Sequence, residues 1–171
     1  MNEMLIIGVD PAFRKGGFGV CELYISKVFG NSVVFPKRTV LSFVKDGYSV
    51  GTMPAQNAFA GVENSNLINA IYINKKLGES LDVFGKRNRD VGKNQAVSQI
   101  VFEHLKDIFG EKNVFEISPK AKSKGCTQLE FDSMLKELKI EYNKRTNDDQ
   151  RVALKIAYMT YKMARLRERV V

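Results

Sequence analysis

Four acidic residues stand where acids are costly or conspicuous: Asp10, Glu63, Asp148 and Asp149. Asp10 directly follows the apolar stretch 4–9. A carboxylate closing a buried strand is unfavourable unless it is paired or bound to a cation. The alternative is a turn start, because Asp favours that position and Pro11 follows. Glu63 closes the segment from Ala60 to Val62 in the same way, and Glu is a poor turn residue, so the turn alternative is weaker there. Asp148 and Asp149 precede the helical stripe of Val152, Ile156, Met159 and Met163. Asp148 lies one turn before Val152 and Asp149 one turn before Ala153, so both belong near the buried face at a helix start. Acids in a first turn also complement the helix dipole, and Thr146 with Asp149 forms a cap-like pair. Adjacent helical residues diverge by about 100°. Asp149, leading onto the small Ala153, is therefore the expected principal ligand, with Asp148 a second ligand or a support.

Acids that end two strands and begin a late helix can converge at one sheet edge. Their oxygens suit a hard divalent cation such as Mg2+, with Mn2+ able to substitute. Two such ions about 4 Å apart activate a water and stabilise the leaving oxygen in phosphodiester hydrolysis. Lys and Arg outnumber Asp and Glu by 27 to 19, a formal charge of +8, which favours a polyanionic partner. Arg14, Lys86, Arg87, Arg89, Lys93, Lys120, Lys122 and Lys124 are the candidate contacts to a nucleic-acid backbone.

The rest of the composition narrows the class. A chain of 171 residues, 44% of them hydrophobic, suits one domain, 1–171, with a real core. Cys21 and Cys126 form no zinc spacing and fit a reducing, cytoplasmic setting. No stretch approaches the roughly 18 apolar residues of a membrane span, and no signal peptide is expected. The lone His104 sits in helical sequence, as a solvent-side or interface residue rather than a catalytic one.

The elements that must position the acids follow from patterning. Residues 4–9 read as a central strand buried on both faces, and 18–25 as its hairpin partner. A third strand is expected over 33–43, a loop over 45–55, a fourth strand over 59–62 and a helix over 66–81. Residues 84–93 are polar and basic. Ala96, Val97, Ile100, Val101, Leu105, Ile108 and Phe109 mark an amphipathic helix stopped by Gly110. Residues 114–117 form a fifth strand and 119–125 a basic loop. Thr127 and Glu130 form a capping box opening a helix to about Leu138, and a last helix runs from 146–148 towards Arg167. The class is α/β, a sheet covered by helices.

These motifs resemble the RuvC-like Holliday junction resolvases. Ile7 to Pro11 with Gly17 to Val20 resembles their opening, and Gly61 to Asn64 their second acidic motif. Gly92 to Ala96 resembles the start of their central helix. Ile117 to Pro119 with Lys120, Lys122, Lys124 and Gly125 resembles their basic loop, and Asp148 to Leu154 their last acidic motif. The ordered set spans nearly the whole chain. The resemblance implies an RNase H-like mixed five-stranded sheet flanked by helices, and a homodimeric Mg2+-dependent endonuclease cutting four-way DNA junctions. It implies Asp10, Glu63, Asp148 and Asp149 as metal ligands and Lys120 or Lys122 near the scissile phosphate. The dimer is expected mainly through the helix 95–109.

The chain departs from the family at Val152, where relatives carry another acidic group. A further basic-loop lysine is absent, Glu130 to Ser133 occupying that region. The stretch before the fourth strand is short and the stretch 65–91 long, which resembles phage-type relatives working in a bacterial cell or infected host. Other readings are a junction-binding module of the same fold with weak cleavage, a general RNase H or flap nuclease, and an actin-like ATPase. The last needs two lobes where this length holds one.

Overall fold

The computed structural model describes residues 3–11, 18–45, 57–67, 75–119 and 125–168. Their order is β1 (Glu3–Asp10), β2 (Gly19–Ser26), β3 (Ser32–Val34), α1 (Val40–Lys45), β4 (Ala58–Glu63), α2 (Leu81–Phe109), β5 (Val114–Ile117), α3 (Gln128–Glu137) and α4 (Asp148–Glu168). The class is α/β: one mixed five-stranded sheet in the order β3-β2-β1-β4-β5, flanked by helices. β1, β2 and β3 pair antiparallel, whereas β1, β4 and β5 run parallel. Among the described residues no helix is long and apolar enough to cross a membrane.

Strand alternation divides the core into two layers. Leu5, Ile7 and Val9 of β1, with Ala58, Ala60 and Val62 of β4, meet Val97, Val101, Leu105 and Phe109 of α2. Met4 and Ile6, with Cys21, Leu23, Phe59, Phe115 and Ile117, face α3 and α4. β1 is therefore buried on both sides, as its unbroken apolar run requires.

Three expected elements differ. The strand expected over 33–43 stops at Val34, and 40–45 is helical. Pro36 lacks the N–H that a strand needs. Beyond it, Thr39 and Ser42 bond reciprocally, Ser42 N–H donating to Thr39 Oγ1 at 3.2 Å and Thr39 N–H to Ser42 Oγ at 2.9 Å. This local capping outcompetes a ladder on an edge strand. The helix expected over 66–81 is not formed in its described parts: Ser65–Leu67 is a 3-10 turn and 75–80 is non-helical. Gly78 takes a φ of +78°, and Ser80 caps the next helix by accepting Val83 N–H at 3.3 Å. Residues 68–74, and 46–55 of the expected loop, lie outside the described residues. Finally, α2 begins at Leu81, incorporating the basic stretch 84–93, and ends as expected at Gly110, φ +80°. The remaining strands, the Thr127–Glu130 capping box and α4 fall where patterning puts them.

Candidate active site

Asp10 and Glu63 end two adjacent parallel strands. The last paired positions are Val9 and Val62, and each acid is one residue further on. Asp10 shares strand parity with Gly8, and Glu63 with Gly61. Both glycines face α4, where added Cβ atoms would meet Ala153, Ala157, Ile156 and Thr160. The two acids therefore stand side by side on the α4 face, about 4.8 Å apart in backbone spacing. Both are partly buried.

Three glycines bring the third acid to them. A Cβ at Gly8 would overlap the Ala153 carbonyl and stand 2.5 Å from the Ala157 nitrogen. A Cβ at Gly61 would strike Thr160 Oγ1, and one at Gly19 would strike the Asp149 carbonyl. The missing side chains let α4 lie directly on the sheet. Gly19 pairs with Asp10 across β1 and β2, so contact with Gly19 fixes the Asp149 backbone beside Asp10. Across the edge the order is Asp149 over β2, Asp10 on β1 and Glu63 on β4.

Asp148 and Asp149 part company, as their 100° offset demands. Asp149 is partly buried, whereas the Asp148 side chain is 85% exposed and bonds Arg151. Arg151, itself 16% exposed, also donates to Cys126 O and Thr146 O, both at 3.0 Å. Asp148 thus serves as the counterion of a guanidinium that ties the start of α4 to the chain before α3. Neither acid caps the helix. Asn147 does: Gln150 N–H donates to Asn147 Oδ1 at 2.9 Å and Asn147 N–H to Gln150 Oε1 at 3.0 Å. The expected Thr146–Asp149 pair is therefore replaced by Asn147–Gln150, and Thr146 is buried. Val152 is 5% exposed within the α4-side core, so an acid there would enter apolar packing.

Among the described residues no three His, Cys, Asp or Glu side chains group closely enough to hold an ion together. Asp149 and Glu63 stand on opposite sides of Asp10, over β2 and on β4, two strands whose backbones are about 10 Å apart. The donor chemistry is nevertheless all oxygen. Mg2+ takes one or two carboxylates and completes its shell with water and phosphate, and the central Asp10 neighbours both other acids.

The remaining expected residues are distributed as follows. Lys86, Arg89 and Lys93 are exposed on the first half of α2. Arg87 is engaged by Glu79 at 2.7 Å and lies over the Phe84 ring. Arg14, Lys120, Lys122 and Lys124 lie outside the described residues. Burial pushes both the Cys21 and Cys126 thiols up, so they are core residues and poor nucleophiles. His104 packs edge-on against Phe43 at 5.9 Å, on the α2 side of the sheet away from the acids. A groove of about 550 Å³ between α3 and α4, floored by Met134 and Met159, contains none of the acids.

Sequence reasoning undervalued Gly8, Gly19, Gly61, Asn64 and Arg151. Asn64 is 3% exposed; its N–H donates to Ile117 O and its Oδ1 accepts from Asn66 N–H, fixing the chain just past Glu63. The available signal was glycine inside two otherwise apolar strands, which marks close approach of another backbone. Comparison with known protein families, curated proteins and solved structures finds no match.

Proposed function

We propose that the protein is a metal-dependent endonuclease of RNase H-like architecture that cuts four-way or otherwise branched DNA. One observation carries the reading: Asp10 and Glu63 end neighbouring parallel strands in register on one face, and a glycine-seated helix delivers Asp149 beside them. Three oxygen-bearing side chains at one sheet edge are the donor type that a hard divalent cation takes. Asp10 would be common to two ions, with Glu63 and Asp149 on either side. The bound ions would supply an activated water and stabilise the leaving oxygen. The chain's own groups orient the carboxylates: Gly19 and Arg151 fix the turn bearing Asp149, and Asn64 fixes the end of β4. Basic side chains on α2, with Lys120, Lys122 and Lys124, would hold the phosphate backbone, with Lys120 or Lys122 nearest the scissile group.

Paired incision of a symmetric junction requires two active sites, which a two-fold homodimer supplies. Val97, Val101, Leu105 and Phe109 cover the sheet, leaving Ala96 and Ile100, the latter 52% exposed, as apolar positions on that stretch for a partner. Sedimentation at micromolar concentration should give a dimer mass. A monomer with and without junction DNA removes this part of the reading.

A second reading, a junction-binding module that cleaves weakly, draws on Val152, which fills core rather than offering a further ligand. Incubation with Mg2+ or Mn2+ of an immobile four-way junction, a flap and an RNA–DNA hybrid separates the cases. Preferential cutting of the junction supports the proposal. Binding without cutting favours the module, and preference for the hybrid favours a general RNase H.

A further inference from the structure

The first half of α2 has no counterpart in the sheet. Only Gly110–Asn113 separate α2 from β5, so the helix runs antiparallel to β5 and its N-terminus lies towards the carboxylate edge. It is pinned at that edge by Asn66 Nδ2 donating to Gln95 O at 3.1 Å and by Ser98 beside Ser65. Its buried residues begin at Val97. Residues 81–94 therefore extend past the edge by about 21 Å at 1.5 Å per residue.

This projection is braced. Glu79 accepts from Lys76 N–H at 2.9 Å and from Arg87 at 2.7 Å, tying the segment before the helix to its second turn. Lys86, Arg89 and Lys93 fall within about 60° of one another on the helix, and all are exposed. Asp82 and Asp90 border this stripe and moderate its field.

We infer that this face is the rest for one duplex arm of branched DNA, with Lys86, Arg89 and Lys93 each meeting a phosphate of the same strand. The inference rests on the nuclease reading of the carboxylate edge. Spacing sets its reach. Lys93 stands about 3 Å and Lys86 about 14 Å beyond Gln95 along the axis. At 3.4 Å per nucleotide, the stripe covers phosphates within about four nucleotides of the edge and none beyond. Charge complementarity favours a nucleic acid over a second protein copy, because the stripe carries no apolar residue between its cations.

The test combines neutral phosphates with neutral side chains in the full chain. Methylphosphonate linkages are placed either one to four or seven to ten nucleotides from the branch in every arm of a four-way junction, and binding is measured in Ca2+. Near substitutions should weaken wild-type binding at least tenfold, and far ones less than twofold. Lys86→Gln/Arg89→Gln/Lys93→Gln should lower the slope of log affinity against log salt by about 2.7, at about 0.9 per phosphate contact. It should also lose its sensitivity to the near substitutions. Asp90→Asn should tighten binding. Wild-type binding indifferent to the near linkages, or a triple variant still sensitive to them, overturns the inference while leaving the nuclease reading standing. Failure of the wild type to bind any junction overturns both.

Discussion

The two long helices meet the sheet in opposite ways. α4 lies on Gly8, Gly19 and Gly61 so closely that a single added methyl group collides with its backbone or with Thr160. The first half of α2 contributes no buried residue, and among the described residues its Gly92 has no non-local atom within 4 Å of an added Cβ. The first helix has no freedom to shift, and the second reaches outward. Holding a carboxylate beside two others to a precision of about 0.5 Å needs the first arrangement. Gripping a flexible polyanion at a distance needs only the second. A useful test is therefore to make the same substitution in both regions and look for opposite signs.

The largest effect is expected at the centre of the seat. Gly8→Ala should destabilise by about 3 kcal/mol or more, at the top of the overpacking range, because the colliding atoms are backbone. Denaturant titration checks it, and a stability change under 1 kcal/mol would mean that α4 lies further from β1 than described. Val152→Asp should also be costly, on the order of 3 kcal/mol, since it places a charge in the apolar layer between α4 and the sheet. A stable variant with raised Mg2+ affinity would instead put position 152 at the metal site. Gly19→Ala should separate function from stability. It displaces the turn bearing Asp149, and a misplacement near 1 Å costs about 100-fold in rate. Cleavage should fall far more than melting temperature does, and parallel losses would assign Gly19 to folding alone. Gly92→Ala should go the other way, stabilising by up to about 1 kcal/mol through helix propensity with cleavage unchanged.

The smallest effect concerns α3, which packs against α4. The Thr127 backbone N–H holds the Glu130 carboxyl down to about 2, helped by Lys155. A group depressed in the folded state stabilises fully above its unfolded value of 4.5 and loses that contribution as pH falls towards 2. Wild type should therefore lose stability between about pH 4.5 and pH 2 more steeply than Glu130→Gln. Identical acid profiles would remove Glu130 from the account.

The seat explains what the sequence disclosed and what it concealed. β1 and β4 were legible because strands buried on both faces need apolar runs, and Asp10 and Glu63 stood out by ending them. The start of α4 was legible from its stripe. Its cap was misassigned to Thr146 because Asn147 and Thr146 are both good capping types, and only packing decides that Thr146 turns inward. The first half of α2 was not read as helix for a physical reason: a segment that adds no residue to the described core shows no apolar period. The role of Asp148 was open in sequence, since Arg151 is a helix neighbour whose rotamer no pattern specifies. The order of the acids across the edge, Asp149 over β2, Asp10 on β1 and Glu63 on β4, follows only from the register and from the seat of α4.

The most direct test of the central claim is cleavage of an immobile four-way junction in Mg2+ by wild type and by Asp10→Asn, Glu63→Gln, Asp149→Asn and Asp148→Asn, with binding measured on the same samples. The account predicts that the first three bind the junction and do not cut it, whereas Asp148→Asn cuts within a few-fold of wild type. Wild-type cutting by Asp10→Asn or Glu63→Gln, or a silent Asp149→Asn beside an inactive Asp148→Asn, would contradict it.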